Sequence, residues 1–291
     1  MLDAEFMGQV ERLSLVARST IIGQVRGERR SKKRGYSNEF ADYRDYVAGD
    51  DLRYLDWNIY GRLERLFVKL FHEEEDLTVA ILVDVSQSMN QGEPGKLRYA
   101  LQVAAALGYI GLMSEDRVGI YPFAEELRQP FSPVRGRRNA ARMFRYLEQQ
   151  LANPGGVTDL HASLRTFSHT FRGRGMVILI SDLLDPAGFD EPLRAIAGRR
   201  LDSFLVHLLS PQEEQPPVTG DLRLVDCETS ATCDLSVNRR LLEVYEETVQ
   251  RFREGVAQAC SRRNIAPLFT TTATPFQHLV LGYLRSRGLV R

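Results

Sequence analysis

Four short apolar runs constrain this chain more than anything else in it. Leu77–Val83 reads LTVAILV, Arg117–Phe123 reads RVGIYPF, Met176–Ile180 reads MVILI, and Ser203–Leu209 reads SFLVHLL. Such runs scarcely alternate between polar and apolar residues, which marks strands buried on both faces. Both faces of a sheet are covered only where helices lie on each side. The intervening segments have helical spacing: Leu97–Met113, Arg137–Leu151 with Ala140, Phe144, Leu147 and Leu151 on one stripe, Leu160–Phe171, Pro186–Ala197, and Asn238–Cys260. Leu222–Asp226 and Thr232–Leu235 suit a hairpin. Ile265–Phe269 is a last strand, with Thr274 capping and Pro275 opening a final helix to about Arg285. This alternation predicts an α/β fold, a doubly wound and mostly parallel sheet flanked by helices.

The first 76 residues read differently, so the expected domains are 1–76, an N-terminal extension, and 77–291, the α/β domain. Residues 1–25 form an amphipathic helix by the spacing of Leu2, Phe6, Val10, Leu13 and Ala17. The basic run from Arg26 to Gly35 reads first as a solvated loop and alternatively as a contact for phosphate or anionic lipid. Residues 36–63 mix aromatics, Asp and Arg, as expected of an irregular segment pinned by Arg–carboxylate pairs. Trp57, the sole tryptophan, is expected to anchor that segment in a core. Leu66–Phe71 is a strand, and the acidic cluster His72–Asp76 a charged turn.

Lys+Arg and Asp+Glu both number 38, and that balance argues against bulk nucleic-acid binding. Cys227, Cys233 and Cys260 are too sparse for a disulfide framework. Cys227 and Cys233 are near enough to meet across a hairpin, but free thiols in a reducing compartment are the expectation. The N-terminus has no signal-peptide pattern and no run is long enough to cross a bilayer, so the chain is placed in the cytoplasm.

In open α/β sheets, ligands bind beyond the carboxyl ends of the strands. Three such places carry polar residues here: Asp84, Ser86 and Ser88 after the first apolar run, Thr158 before a helix, and Asp182 after the third. Hydroxyl and carboxylate oxygens without His or Cys suit a hard cation, Mg²⁺ or Mn²⁺. Singly, the serines also suit helix capping and Asp182 an ordinary loop acid; Thr158 and Asp159 compete to cap the helix from Leu160. Jointly they suggest a metal site short of negative charge, which a partner's Asp or Glu would complete. The five histidines lack ligand spacing and read as packing or surface residues.

The element Asp84-x-Ser86-x-Ser88-Met89, with Gly155-Gly156-Val157-Thr158-Asp159 and Ser181-Asp182, resembles the metal-ion-dependent adhesion site of von Willebrand factor A domains. Gly35-Tyr36-Ser37-Asn38-Glu39-Phe40, Arg44-Asp45-Tyr46, Gly49-Asp50-Asp51-x-Arg53 and Asp56-Trp57-Asn58 resemble the bacterial domain-of-unknown-function 58 family, as do Phe204–Leu208 and the hairpin containing Glu228. The resemblance implies a partner of a MoxR-type AAA+ ATPase, acting as adaptor or co-chaperone toward a client protein that offers an acidic residue to the metal. It implies a binding module and not an enzyme. Two alternatives stand beside it. One is a Mg²⁺-dependent phosphohydrolase with Asp84 as nucleophile, although Ser86 sits where a dehalogenase-like enzyme has its second Asp. The other is an anionic-surface or nucleic-acid binder using residues 26–34. The chain has no G-x-x-x-x-G-K-[ST] loop, so ATP hydrolysis falls to a partner.

Overall fold

A computed structural model describes Gly8 and residues 40–47, 50–71, 78–197, 201–228 and 231–283. The expected helix at 1–25, the basic run and the acidic cluster at 72–76 lie outside the described residues, apart from Gly8. The described residues from Phe40 to Phe71 belong to one compact unit and those from Thr78 onward to another, and the two are described separately.

In the smaller unit, β1 (Phe40–Asp45) pairs antiparallel with β2 (Phe67–Phe71), and α1 spans Trp57–Leu63. The segment expected to be irregular therefore holds a strand and a helix. The expected Arg–carboxylate pairs are present, Arg44 on Asp50 at 2.9 Å and Arg53 on Asp51 at 2.7 Å. What organises the helix is Asp56, whose carboxylate caps it by accepting from the amides of Asn58 at 2.9 Å and Ile59 at 3.2 Å. That cap puts Trp57 at the first helical position, where it is 62% exposed within the structure and meets Tyr60 edge-on. Trp57 is thus not the expected core anchor; among the described residues of this unit, Leu55 and Val68 are the buried apolar ones.

In the larger unit, one six-stranded sheet contains β3 (Thr78–Asp84), β4 (Arg117–Phe123), β5 (Phe131–Val134), β6 (Gly175–Ser181), β7 (Leu201–Leu209) and β10 (Ala266–Thr271). A separate antiparallel hairpin is formed by β8 (Gly220–Val225) and β9 (Thr232–Val237). The sheet runs β10-β7-β6-β3-β4-β5 and is parallel except for β5 at one edge. That edge strand contains Pro133, which is tolerated at a sheet edge.

The helices are α2 (Lys96–Met113), α3 (Ala140–Ala152), α4 (Leu160–Thr170), α5 (Asp190–Ala197) and α6 (Arg239–Arg262). Successive residues of β3 serve opposite faces: Val79, Ile81 and Val83 pack with α2 and α3, while Ala80 and Leu82 pack with α4, α5 and α6. Period-2 alternation with both faces apolar is why the run reads as continuous. Ile81 is fully buried at the sheet centre, and Ile81→Ala would cost about 2–5 kcal/mol. At the C-terminus, a short turn of helix Phe276–His278 passes into a π-type turn over Leu279–Tyr283. Pro275 occupies its cap without a side-chain hydrogen bond, so Thr274 does not cap it: proline fixes the entry conformation by itself. Cys227, Cys233 and Cys260 are free; Cys233 faces Leu224 across the hairpin.

Candidate functional site

β3 and β6 are neighbours and end side by side. Their last residues, Asp84 and Ser181, are fully buried, as is Ser86. One Asp84 oxygen, Oδ1, accepts from the Ser86 amide at 3.0 Å and from its hydroxyl at 2.6 Å. Oδ2 accepts from the Ser181 hydroxyl at 2.7 Å, and the Ser181 oxygen accepts in turn from the Leu183 amide at 2.9 Å. The Ser86 and Ser88 hydroxyls lie 3.0 Å apart. Since the Ser86 proton goes to Asp84, Ser88 donates across that contact. Burial pushes the Asp84 carboxyl up to about 7, the Asp182 carboxylate adds to the rise, and the Ser86 and Ser181 hydroxyls oppose it. Neutral hydroxyls answer this carboxylate where another acid in the chain meets a cation.

The loop before α4 is fastened to the end of β3. The Gly155 amide donates to the Val85 carbonyl at 2.5 Å, and the Gln87 amide to the Gly156 carbonyl at 3.0 Å. Only glycine fits at 155, because a Cβ there would lie 2.4 Å from the Ala124 Cβ and 3.0 Å from the Val85 oxygen. Asp159, not Thr158, caps α4 through the Ala162 amide at 2.7 Å. Asp185 supports the same helix start by accepting from the Leu160 amide at 2.8 Å.

Thr158 is therefore released for another task. Its amide donates to Glu228 Oε2 at 3.0 Å and its hydroxyl to Oε1 at 2.8 Å. The Ser88 amide reaches the same Oε1 at 3.3 Å. A carboxylate from the β8–β9 turn thus sits on Ser88 and Thr158.

Asp182 is oriented differently. Its Oδ2 meets Lys96 Nζ at 2.6 Å, and Oδ1 accepts from the Leu184 amide at 3.1 Å. Lys96 is completely buried and also pairs with Glu213, whose other oxygen accepts from the Ser210 amide at 2.7 Å. Burial works against the Lys96 charge, but Asp182 and Glu213 outweigh it and hold the ammonium above its ordinary range. Across the sheet from Ser181, His207 is fully buried, and burial pushes it down to about 4, so it is neutral. Neither ring nitrogen finds a hydrogen-bond partner among the described residues; the ring packs 5.3 Å from Phe269 and 5.9 Å from Phe252.

The structure thus brings Asp84, Ser86 and Ser88 into one hydrogen-bonded group. It joins Thr158 to that group through Glu228, and sets Asp182 beside it as a charge neighbour turned toward Lys96. The donor chemistry fits a hard cation: three hydroxyls and the Asp84 carboxylate, with Glu228 as a second carboxylate, and no nitrogen or sulfur among them. Among the described residues no group of three or more His, Cys, Asp or Glu side chains is placed to hold a metal, so a cation here would depend on the hydroxyls. The sequence assigns no role at the site to Glu228 or Lys96, and Ser181 enters only as the neighbour of Asp182 in the motif. Glu228 is 70 residues from Thr158, and only its hairpin was recognisable. A lysine opening a long apolar helix, two residues after Pro94, was the available signal for Lys96.

A family model described as "Protein of unknown function DUF58" matches residues 42–255. A Mycobacterium bovis protein described as "Uncharacterized protein Mb1516" is 27% identical over 260 residues, covering 88% of this chain and 81% of its own length. A Mycobacterium avium protein, "Uncharacterized protein MAV169", is 30% identical over 136 residues, covering 46% of this chain and 79% of its own length. Among solved structures, the conserved hypothetical protein BatB from Bacteroides thetaiotaomicron superposes with a TM-score of 0.45 at 16% identity, covering 72% of this chain and 98% of that one.

Proposed function

The chain belongs to the DUF58 family, and we propose that it is a metal-dependent protein-binding module, an adaptor working with a MoxR-type AAA+ ATPase on client proteins. One observation carries this reading: the group at the strand ends already receives a carboxylate, that of Glu228, on the Thr158 amide and hydroxyl and the Ser88 amide. A place that accepts one carboxylate through oriented N–H and O–H donors has the chemistry to accept another from a partner's Asp or Glu.

The finer fold assignment within this proposal is von Willebrand factor A-like. Its support is the order of Asp84-x-Ser86-x-Ser88, Thr158 and Asp182 along a mostly parallel sheet. In this reading Ser86, Ser88 and Thr158 hold Mg²⁺ or Mn²⁺ through their hydroxyl oxygens, with Asp84 behind them supplying charge. The ion, when bound, supplies the positive charge that makes a carboxylate the preferred partner group. Asp84 orients the Ser86 hydroxyl, and the Gly155 close approach fixes the Thr158 loop against β3. Nucleotide hydrolysis belongs to the ATPase partner, since the chain has no phosphate-binding glycine loop. Among the described residues no helix is long and apolar enough to cross a membrane; we place the encounter in the cytoplasm.

The test is the affinity of the purified chain for the MoxR-type ATPase of the same cell, in Mg²⁺ and in EDTA. The expected result is binding lost in EDTA and lost on Asp84→Ala. Equal affinity in both conditions would sink the proposal.

A further inference from the structure

The carboxylate on Thr158 belongs to the chain itself, and the hairpin that brings it is weakly held. Nine of the twelve residues of β8 and β9 are exposed, all but Leu222, Leu235 and Val237, with Leu224 at 50% and Val225 at 62%. The hairpin forms its own two-stranded sheet and adds no strand to the six-stranded one. Two-stranded ribbons of this kind have little independent stability. Its internal order is polar and local: Arg223 bridges Asp234 at 2.6 Å across the strands, the Asp226 amide closes the turn on the Ala231 carbonyl at 2.8 Å, and the Glu228 amide donates to Asp226 Oδ1 at 2.9 Å. That last contact presents the Glu228 side chain toward Ser88 and Thr158.

We propose that Glu228 is a tethered, displaceable ligand of the site, so that an acidic partner binds only by driving the β8–β9 hairpin off Thr158 and Ser88. This rests on the carboxylate-binding function proposed above. A tethered group competes at an effective concentration on the order of millimolar. An outside carboxylate then sees its affinity reduced by the fraction of time that the hairpin is away. The exposed strands let the hairpin leave without opening the core. The device sets a threshold: a lone acidic side chain fails, while a partner that adds contacts around its acid succeeds.

The probe is a synthetic peptide with the sequence of residues 222–235, serine replacing both cysteines, titrated calorimetrically in Mg²⁺ into the full chain. The expected result is binding to Glu228→Ala at least about 10-fold tighter than to the wild type, lost when the peptide's own glutamate is replaced by alanine. Glu228→Gln keeps the shape of the turn and shifts affinity in the same direction, which guards against a hairpin that merely melts. Equal or weaker peptide binding by Glu228→Ala and Glu228→Gln, with the wild type binding in a Mg²⁺-dependent way, overturns the proposal and makes Glu228 a permanent part of the site. Peptide binding to no protein in Mg²⁺ sinks the carboxylate-binding function itself, and this inference with it.

Discussion

Asp56 and Asp84 are both buried aspartates, one in each unit, and their surroundings are opposed. Asp56 has Lys69 at 3.0 Å, the Tyr43 hydroxyl at 3.0 Å and two helix amides, and these hold its carboxyl down at about 2, with Lys69 the largest cause. Asp84 has three hydrogen bonds from two serines and no cation bonded to it among the described residues, and burial drives it up to about 7. At Asp84 the serine hydrogen bonds do not offset burial, whereas at Asp56 the Lys69 ammonium, with the helix amides and the Tyr43 hydroxyl, outweighs it. The first site is electrostatically complete and reads as structural. The second has no cation among the described residues, and that is where a metal would contribute most. Asp182 sharpens the contrast, because it lies beside Asp84 and has its own cation in Lys96.

If charge completion is what separates these acids, removing an internal cation should be costly. Lys96→Met leaves Asp182 and Glu213 facing each other without their ammonium. The expected loss, read from urea unfolding, is about 3–5 kcal/mol. An unchanged midpoint would break the comparison, since Lys96 would then be answering no cost. The complementary experiment adds the missing cation to Asp84. Mg²⁺ at 100 times its dissociation constant should stabilise the wild type by about 3 kcal/mol, seen as a raised thermal midpoint that EDTA abolishes. Asp84→Asn should show no Mg²⁺ response. A response retained in that variant would place the ion elsewhere. A smaller effect is expected from Ser181→Ala, which strips Asp84 Oδ2 of its hydroxyl donor; the expected destabilisation without metal is about 1–3 kcal/mol, measured by the same urea titration.

These variants divide into positions readable from sequence and positions readable only in three dimensions. The sheet was legible because strands buried on both faces leave an unbroken apolar run, as at Thr78–Asp84 and Gly175–Ser181. Residues near the strand ends, Asp84, Ser86, Ser88 and Asp182, were singled out for the same reason. Period and placement do not say whom a side chain faces. Asp182 turned to Lys96, 86 residues away, and Glu228 came to Thr158 from the turn of an exposed hairpin, whose strands are legible in sequence but whose contacts are not. Asp159 took the cap that Thr158 was equally suited to, because cap geometry depends on backbone angles that composition does not encode. In the smaller unit the same blindness gave the wrong role to Trp57: an aromatic beside a capping aspartate is carried outward by the first helical turn.

That exposed tryptophan makes the other half of the comparison measurable. Trp57 is the sole tryptophan, and it begins the helix that Asp56 caps, so its fluorescence reports the local order that Asp56 maintains. The sign follows from the direction of the shift. Asp56 in the folded unit titrates at about 2, below its ordinary value of 3.8. Between those values the unfolded chain binds the proton and the folded chain does not, so stability falls as pH falls. The contribution is fully present above pH 3.8 and is lost as pH drops through about 2. Wild-type Trp57 emission should therefore change across that window at constant ionic strength. Asp56→Asn keeps a capping oxygen for Asn58 and Ile59 but gives up the charge opposite Lys69. Its emission should be less dependent on pH across the same window, with little change at neutral pH because the Lys69 pair is partly open to solvent. An identical acid transition in the variant would show that Asp56 is not the group being protonated, and the contrast with Asp84 would then rest on the larger unit alone.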